Sequence, residues 1–155
     1  MSTVNKPIKR HDSLQSLSRE HHQGLLLCWK IKTGLKKNID KSRISRYCDH
    51  FYEVYLLPHF EVEEKFIFPI LGFDNEHVKQ ALEEHKELKK LFSKANANAN
   101  LLENLEEKLE NHIRFEERVL FNEIQEVATK VDWDKINKVQ QREAEQECWG
   151  DRFWA

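Results

Sequence analysis

Apolar residues recur at steps of three and four along most of the chain, which is the spacing of one face of an α-helix. Four such stripes run over residues 14–35, 44–68, 78–92 and from about 101 to 130. Polar or Gly- and Pro-containing segments separate them, so the pattern predicts four long helices with short connections. This arrangement is typical of an all-α protein built as an up-down-up-down four-helix bundle.

Cap and breaker residues mark the expected helix ends. Asp40 or Ser42 can begin the second helix, Asp74 the third, and Pro69 with Gly72 can end the second. Pro58 lies inside the second helix and predicts a kink just before His59. We expect one domain over residues 1–155, with the bundle at about 12–130 and a short helical C-terminal extension over 131–155.

Composition narrows the classes of function. Charged residues make up 34% of the 155 residues but balance to a formal −2, which gives no electrostatic case for a nucleic-acid or membrane partner. Cys28, Cys48 and Cys148 are odd in number and widely spaced, as is usual for reduced thiols in a cytoplasmic protein. The N-terminal segment lacks the apolar region of a signal peptide, which also favours the cytoplasm.

The chain contains an internal repeat. HFEVEEKFIFP at residues 59–69 and HIRFEERVLFN at 112–122 both have the form H-x-x-x-E-E-x-x-x-F. In each copy the histidine and the first glutamate are four apart and therefore lie on one helical face. Each copy follows a helix that carries Glu-His and then leucines, EHHQGLLL at 20–27 and EHKELKKLF at 84–92.

Counting from the turns places these histidines at one depth. His59 and His85 lie thirteen residues on either side of Gly72, so antiparallel neighbours would bring them level. His112 differs from His85 by about 4.5 Å along the axis, a gap that one helical turn spans. Buried imidazoles and carboxylates in one layer need partners, and a metal would supply them.

This inventory suits two adjacent transition-metal ions, and imidazole with carboxylate matches iron. We expect the two glutamates to bridge the ions, the histidines to be terminal ligands, and the remaining positions to take water or a diatomic gas. His21 is preferred to His22 because it lies at the centre of the apolar stripe of its helix. The predicted metal ligands are His21, His59, Glu63, His85, His112 and Glu116.

Other residues near the motifs are assigned less specific roles. The second glutamates and those that precede a histidine (Glu20, Glu64, Glu84 and Glu117) are expected to be solvated helix-surface charges, with orientation of a ligand histidine as the alternative. Tyr55 is expected to pack in the core, although it could reach the site. The aromatic tail is expected to fold back over the bundle, with a homodimer contact as the alternative.

The ordered motifs at residues 20–27, 59–69, 84–92 and 112–121 resemble the hemerythrin-like, HHE cation-binding family over about 12–125. The resemblance implies a four-helix bundle with two iron ions in a non-haem di-iron centre, joined by an oxo or hydroxo bridge, and dioxygen or another diatomic gas as partner. The oxygen carriers of that family have a second histidine one turn from the one in their third helix, where this chain has Ala81. His77 is rotated about 80° from His85 and is a poor substitute.

Three classes of function remain open on the sequence. The leading hypothesis is a di-iron protein that binds oxygen or a related small molecule for sensing, storage or delivery. An oxidoreductase that acts on nitric oxide or peroxide, or repairs iron centres, would use the same open metal positions. Iron storage or trafficking would require a site that releases its metal readily.

Overall fold

The structure, a computed structural model, describes residues 9–94, 98–139 and 149–155. Most of the described residues are helical and none is in a strand, which confirms the all-α prediction. Helix α1 is Gln15–Lys36, α2 spans residues 41–71, α3 is Glu76–Ser93, α4 spans residues 99–127 and α5 is Lys130–Val139. In these parts of the chain no helix is both long enough and apolar enough to cross a membrane.

Side-chain caps begin the helices close to the expected positions. The carboxylate of Asp40 accepts a hydrogen bond from the backbone N–H of Ser42 at the start of α2, as predicted. Asn75, rather than the predicted Asp74, caps α3, because its side-chain oxygen accepts from two free N–H groups of the first turn. Helix α2 ends at Leu71 and is followed by Gly72, whose φ of 86° favours glycine.

Three π-helical turns interrupt the long helices. They lie at Tyr52–Leu56 and Glu63–Ile67 in α2 and at Glu116–Leu120 in α4, and each is closed by an N–H that donates to the carbonyl five residues earlier. The first two come just before Pro58 and Pro69, where a wider turn gives room for the proline ring and accommodates its missing N–H. Where a kink was expected before His59, the structure therefore has a π turn.

Two apolar clusters form the core, one on each side of a polar layer. The first contains the N-terminal end of α1 and the C-terminal ends of α2 and α4, and includes Leu14, Leu17, Phe68, Ile124 and Ile136. The second lies towards the opposite ends of these helices and includes Leu27, Ile31, Tyr47, Phe51 and Leu105. The layer between them holds the repeated motifs.

Helices α1 and α4 approach closely beside that layer. Gly24 of α1 faces Ile113 of α4, and a Cβ added to this glycine would lie 2.6 Å from Ile113 Cδ1. The absence of a side chain at this position therefore allows the two helices to pack tightly. The contact lies one turn from His21 and next to His112.

The C-terminal tail folds back onto α1 and α2, as expected. Phe153 is 2% exposed in the second apolar cluster, and the guanidinium of Arg43 pairs with the carboxylate of Asp151. The ammonium of Lys30 lies 4.0 Å from the ring centroid of Trp154. Helix α5 supplies part of the predicted extension, while residues 140–148 lie outside the described part of the chain.

Candidate metal centre

Six ionisable side chains from four helices converge in the polar layer. Each is at most 3% exposed, which is unusual for groups of this kind. They are the six residues predicted as metal ligands: His21 from α1, His59 and Glu63 from α2, His85 from α3, and His112 and Glu116 from α4. The four-residue step from histidine to glutamate in each repeat places both side chains on the inner face of one helix.

The donor atoms form two overlapping groups, and within each group they lie within 4.8 Å of one another. The first group is His21 and His59 with Glu63 and Glu116, and the second is His85 and His112 with the same two glutamates. Both carboxylates thus belong to both groups. Two ions bound in these groups would share them.

Each shared carboxylate faces a histidine of its own helix. Nε2 of His59 lies 3.2 Å from Oε1 of Glu63 in α2, and Nε2 of His112 lies 2.9 Å from Oε1 of Glu116 in α4. A π turn begins at each of these glutamates, where the i to i+5 bond changes the direction of the residues that follow. π turns are frequent at functional sites, and these two occupy equivalent positions in the repeat.

A second set of carboxylates holds the outer nitrogens of the histidines. Each Nδ1 lies between 2.6 and 3.3 Å from a glutamate oxygen of another helix. The pairs are Glu20 with His59, Glu64 with His85, Glu84 with His112, and Glu117 with His21. Each of the four helices supplies a glutamate to the next, and the fourth returns to the first. We call this closed set the outer carboxylate ring.

The expectation that these four glutamates are solvated surface charges is wrong. Their side chains are only 28% to 31% exposed, and every one of them accepts a hydrogen bond from an imidazole. A carboxylate accepts but does not donate, so it holds the proton of each histidine on Nδ1. The inner Nε2 of each ring then faces the layer, where it can bind a metal in its deprotonated form.

The inner nitrogens of these rings and the oxygens of the two shared carboxylates converge in the layer. Nε2 of His21 and Nε2 of His59 are 3.0 Å apart, a separation that requires a proton or a cation between two acceptors. Nε2 of His85, both carboxylate oxygens of Glu63 and one oxygen of Glu116 are buried and make no hydrogen bond. Unpaired buried polar atoms are costly, and here they converge. The residues present therefore fit a pair of cations.

The carboxylates also change the protonation of the layer. Burial lowers the pKa of His59 and His112, but the facing carboxylates, Glu63 and Glu116 first among them, outweigh burial and raise both pKa values to about 9. Burial raises the pKa of Glu63, yet the histidines around it hold that pKa well below its usual range. Without a metal the layer keeps protons that a metal would displace.

Apolar and aromatic side chains enclose the six donors. The ring of Phe60 stacks on His85 with centroids 3.8 Å apart, and Phe121 stacks on His21 at 5.1 Å. A surface depression with a mainly apolar wall, to which Tyr55 contributes, reaches His21 and His59. Tyr55 therefore lies beside the site as well as packing against the core.

Neighbouring residues that resemble ligands lie outside the cluster. His22 is exposed, so the structure places His21 rather than His22 in the layer. His77 pairs with Glu123 and is not among the converging donors. Ala81, one turn before His85, is fully buried. Each donor group therefore holds two histidines.

The sequence contained a signal for the outer carboxylate ring. Each of its glutamates is adjacent in sequence to an inner donor, as in Glu20-His21 and Glu63-Glu64. Adjacent helical residues point about 100° apart, so a residue next to an inward-facing one points toward a neighbouring helix. Arg10, which contacts the ring at Glu117, has no such signal in the sequence.

One protein family matches most of this chain. The model of the Hemerythrin HHE cation binding domain matches residues 12–124, a stretch that includes all six inner donors and the whole outer ring. The match confirms the resemblance carried by the repeated motifs. Searches of curated proteins and of solved structures found no match.

Proposed function

Because this chain belongs to the hemerythrin HHE cation-binding family, we propose that it is a non-haem di-iron protein that binds oxygen or a related small molecule for sensing, storage or delivery. The observation that carries the proposal is the pair of donor groups that share Glu63 and Glu116. Imidazole and carboxylate donors suit iron, and inward-facing Glu and His on helices are how bundles hold two such ions.

The six inner residues would have two different roles as metal ligands. Glu63 and Glu116 would bridge them, and each ion would take two histidines as terminal ligands. Four protein donors per ion leave coordination positions free for water or a small molecule. When bound, the ferrous ions would supply those positions and the electrons for oxygen chemistry. The apolar clusters on both sides would exclude bulk water from the layer.

The surroundings of the donors favour a protein that retains its metal. All six inner side chains are buried, and the outer ring holds four of them in orientation, which supports binding over iron storage or trafficking. Because Ala81 stands where a further histidine would be a ligand, the ion of the second group keeps a coordination position that such a histidine would fill. An oxidoreductase acting on nitric oxide or peroxide, or in iron-centre repair, is therefore the second candidate.

The test is made on iron-loaded protein, reduced without oxygen. Metal analysis should give two irons per chain, and a Glu63→Ala variant should lose both. An absorption change on adding oxygen that reverses when oxygen is removed supports binding. Continuous consumption of nitric oxide or peroxide with a reductant supports the oxidoreductase, and rapid loss of iron to a weak chelator supports trafficking. One iron or none per wild-type chain would contradict the di-iron proposal.

We also propose the finer architecture expected from the sequence. The four long helices would form an up-down-up-down bundle in a single domain over residues 1–155. Packing of α1 against both α2 and α4, and of α3 against α4, supports this topology. A cytoplasmic location is proposed as well, supported by the buried free thiols of Cys28 and Cys48.

A further inference from the structure

Arg10 clamps one member of the outer carboxylate ring. Its Nη2 donates a hydrogen bond of 2.8 Å to the backbone carbonyl of Glu117 and lies 3.6 Å from the Oε1 atom of the same residue. The hydroxyl of Ser18 lies 3.0 and 2.9 Å from the two carboxylate oxygens of Glu117. The side chain that orients His21 is therefore held from both its backbone and its carboxylate.

The π turn in α4 creates the acceptor that Arg10 uses. In a regular helix the N–H of Phe121 would donate to the carbonyl of Glu117, four residues earlier. Here it donates to the carbonyl of Glu116 instead, and the carbonyl of Glu117 accepts a hydrogen bond from Arg10. The Nη1 atom of Arg10 donates to Asn122 Oδ1 at 3.2 Å, which ties the arginine to the turn a second time.

Arg10 also contacts the other residue that supports His21. Its guanidinium carbon lies 5.5 Å from the ring centroid of Phe121, within the range of a cation–π contact. Phe121 in turn stacks on His21. The hydrogen-bond partner and the stacking partner of this histidine are thus both in contact with one arginine.

The other donor group is supported differently. Among the described residues, the cation that pairs with Glu64, the outer partner of His85, is Lys89, whose Nζ lies 3.8 Å away on a side chain 41% exposed. Glu84 receives a neutral hydrogen bond from Gln80. At the position of Asn122 the first repeat has a proline, which offers no side-chain acceptor. The sequence repeat therefore has unequal outer support.

We propose that Arg10 is a positioning residue that makes the metal position built on His21 and His59 the tighter of the two, by holding Glu117 against His21. The proposal rests on the proposed dinuclear centre. Arg10 precedes residues 12–124, the part of the chain that matches the family, so this control belongs to the N-terminal arm. Preorganised outer partners raise metal affinity because the ligand loses less freedom on binding.

The first test is a titration of the whole metal-free chain with Co²⁺, followed by calorimetry. Glu117→Gln should weaken one of two binding steps about 10- to 100-fold, the range for loss of an outer partner, and Arg10→Ala should weaken the same step about tenfold. Lys89→Ala is the matched control and should change neither step more than about twofold, since exposed ion pairs contribute little.

Double variants test whether Arg10 acts on metal affinity through Glu117. In a Glu117→Gln chain, Arg10→Ala should cause little further loss, whereas in a Glu84→Gln chain it should keep its full effect. In the Co²⁺-loaded protein, NMR of the shifted imidazole N–H protons should show Arg10→Ala moving the His21 signal and leaving that of His112 unchanged. A purely structural role for Arg10 would not produce this selectivity.

Two results would overturn the proposal while leaving the metal centre intact. Unchanged affinities in Arg10→Ala, or equal weakening of both steps with full additivity to Glu117→Gln, would each show that the arginine does not act through that carboxylate. A wild-type chain that binds fewer than two Co²⁺ ions would instead overturn the proposed function. Circular dichroism of each metal-free variant checks that the helical fold is retained.

Discussion

Metal loading should raise the melting temperature of this protein, and Glu63 should be required for the rise. A ligand that binds only the folded state, at 100 times its dissociation constant, stabilises that state by about 2.7 kcal/mol. Two donor groups imply two ions and therefore about 5 kcal/mol. For a chain of this length each kcal/mol corresponds to roughly 2–4 °C, so we expect an increase of about 10–20 °C.

The two donor groups predict how much of this rise in melting temperature each single-residue variant keeps. Glu63 belongs to both donor groups, so Glu63→Ala should abolish nearly all of it. His59 belongs to one group, so His59→Ala should keep about half. Glu61 is exposed on the same helix, and Glu61→Ala is the control that should keep the full increase.

The assay is thermal unfolding followed by circular dichroism, with and without metal. Each variant is compared with its own metal-free form, so that packing changes caused by the substitution cancel. An equal increase in wild type and Glu63→Ala, or no increase in wild type, would refute the reasoning.

Three further predictions concern α1. His21→Ala should lose one metal ion and His22→Ala none, as measured by metal analysis; the reverse would mean that α1 is rotated by one residue. Gly24→Ala should lower the free energy of unfolding in urea by about 1 kcal/mol, because a crowded core loses more than the helix gains. In an Ile113→Val chain, which lacks the Cδ1 that clashes, the same substitution should lower it by less. Burial raises the pKa of the Cys28 thiol to about 12, so iodoacetamide at pH 8 should label it only after unfolding; rapid labelling of the folded protein would contradict its burial.

The helices and the inner donors could be predicted from the sequence pattern. Apolar spacing marks the helices because each helix buries one face, whatever its neighbours are. The four-residue step in each H-x-x-x-E places histidine and glutamate together for the same local reason. Counting residues from the turns was enough to align His59 with His85, since the rise per residue is constant.

Contacts between side chains of two different helices were harder to predict from the sequence. Glu64 and Glu84 look like surface charges in the sequence, because each lies beside the inward face of its own helix. Their carboxylates accept from imidazoles of the next helix, and the rotation of one helix against another determines that contact. This rotation depends on how the two helices pack, and the apolar pattern of one helix carries no information about that packing.

The π turn in α4 and the place of Arg10 follow only from the folded structure. Glu116–Leu120 contains no proline, so no local residue requires a wider turn there. In this turn the N–H of Phe121 donates to Glu116 instead of Glu117, and an arginine more than 100 residues earlier donates to the carbonyl of Glu117. Sequence periodicity reports on local backbone geometry, whereas a contact at this separation exists only when the folded helices bring its two ends together.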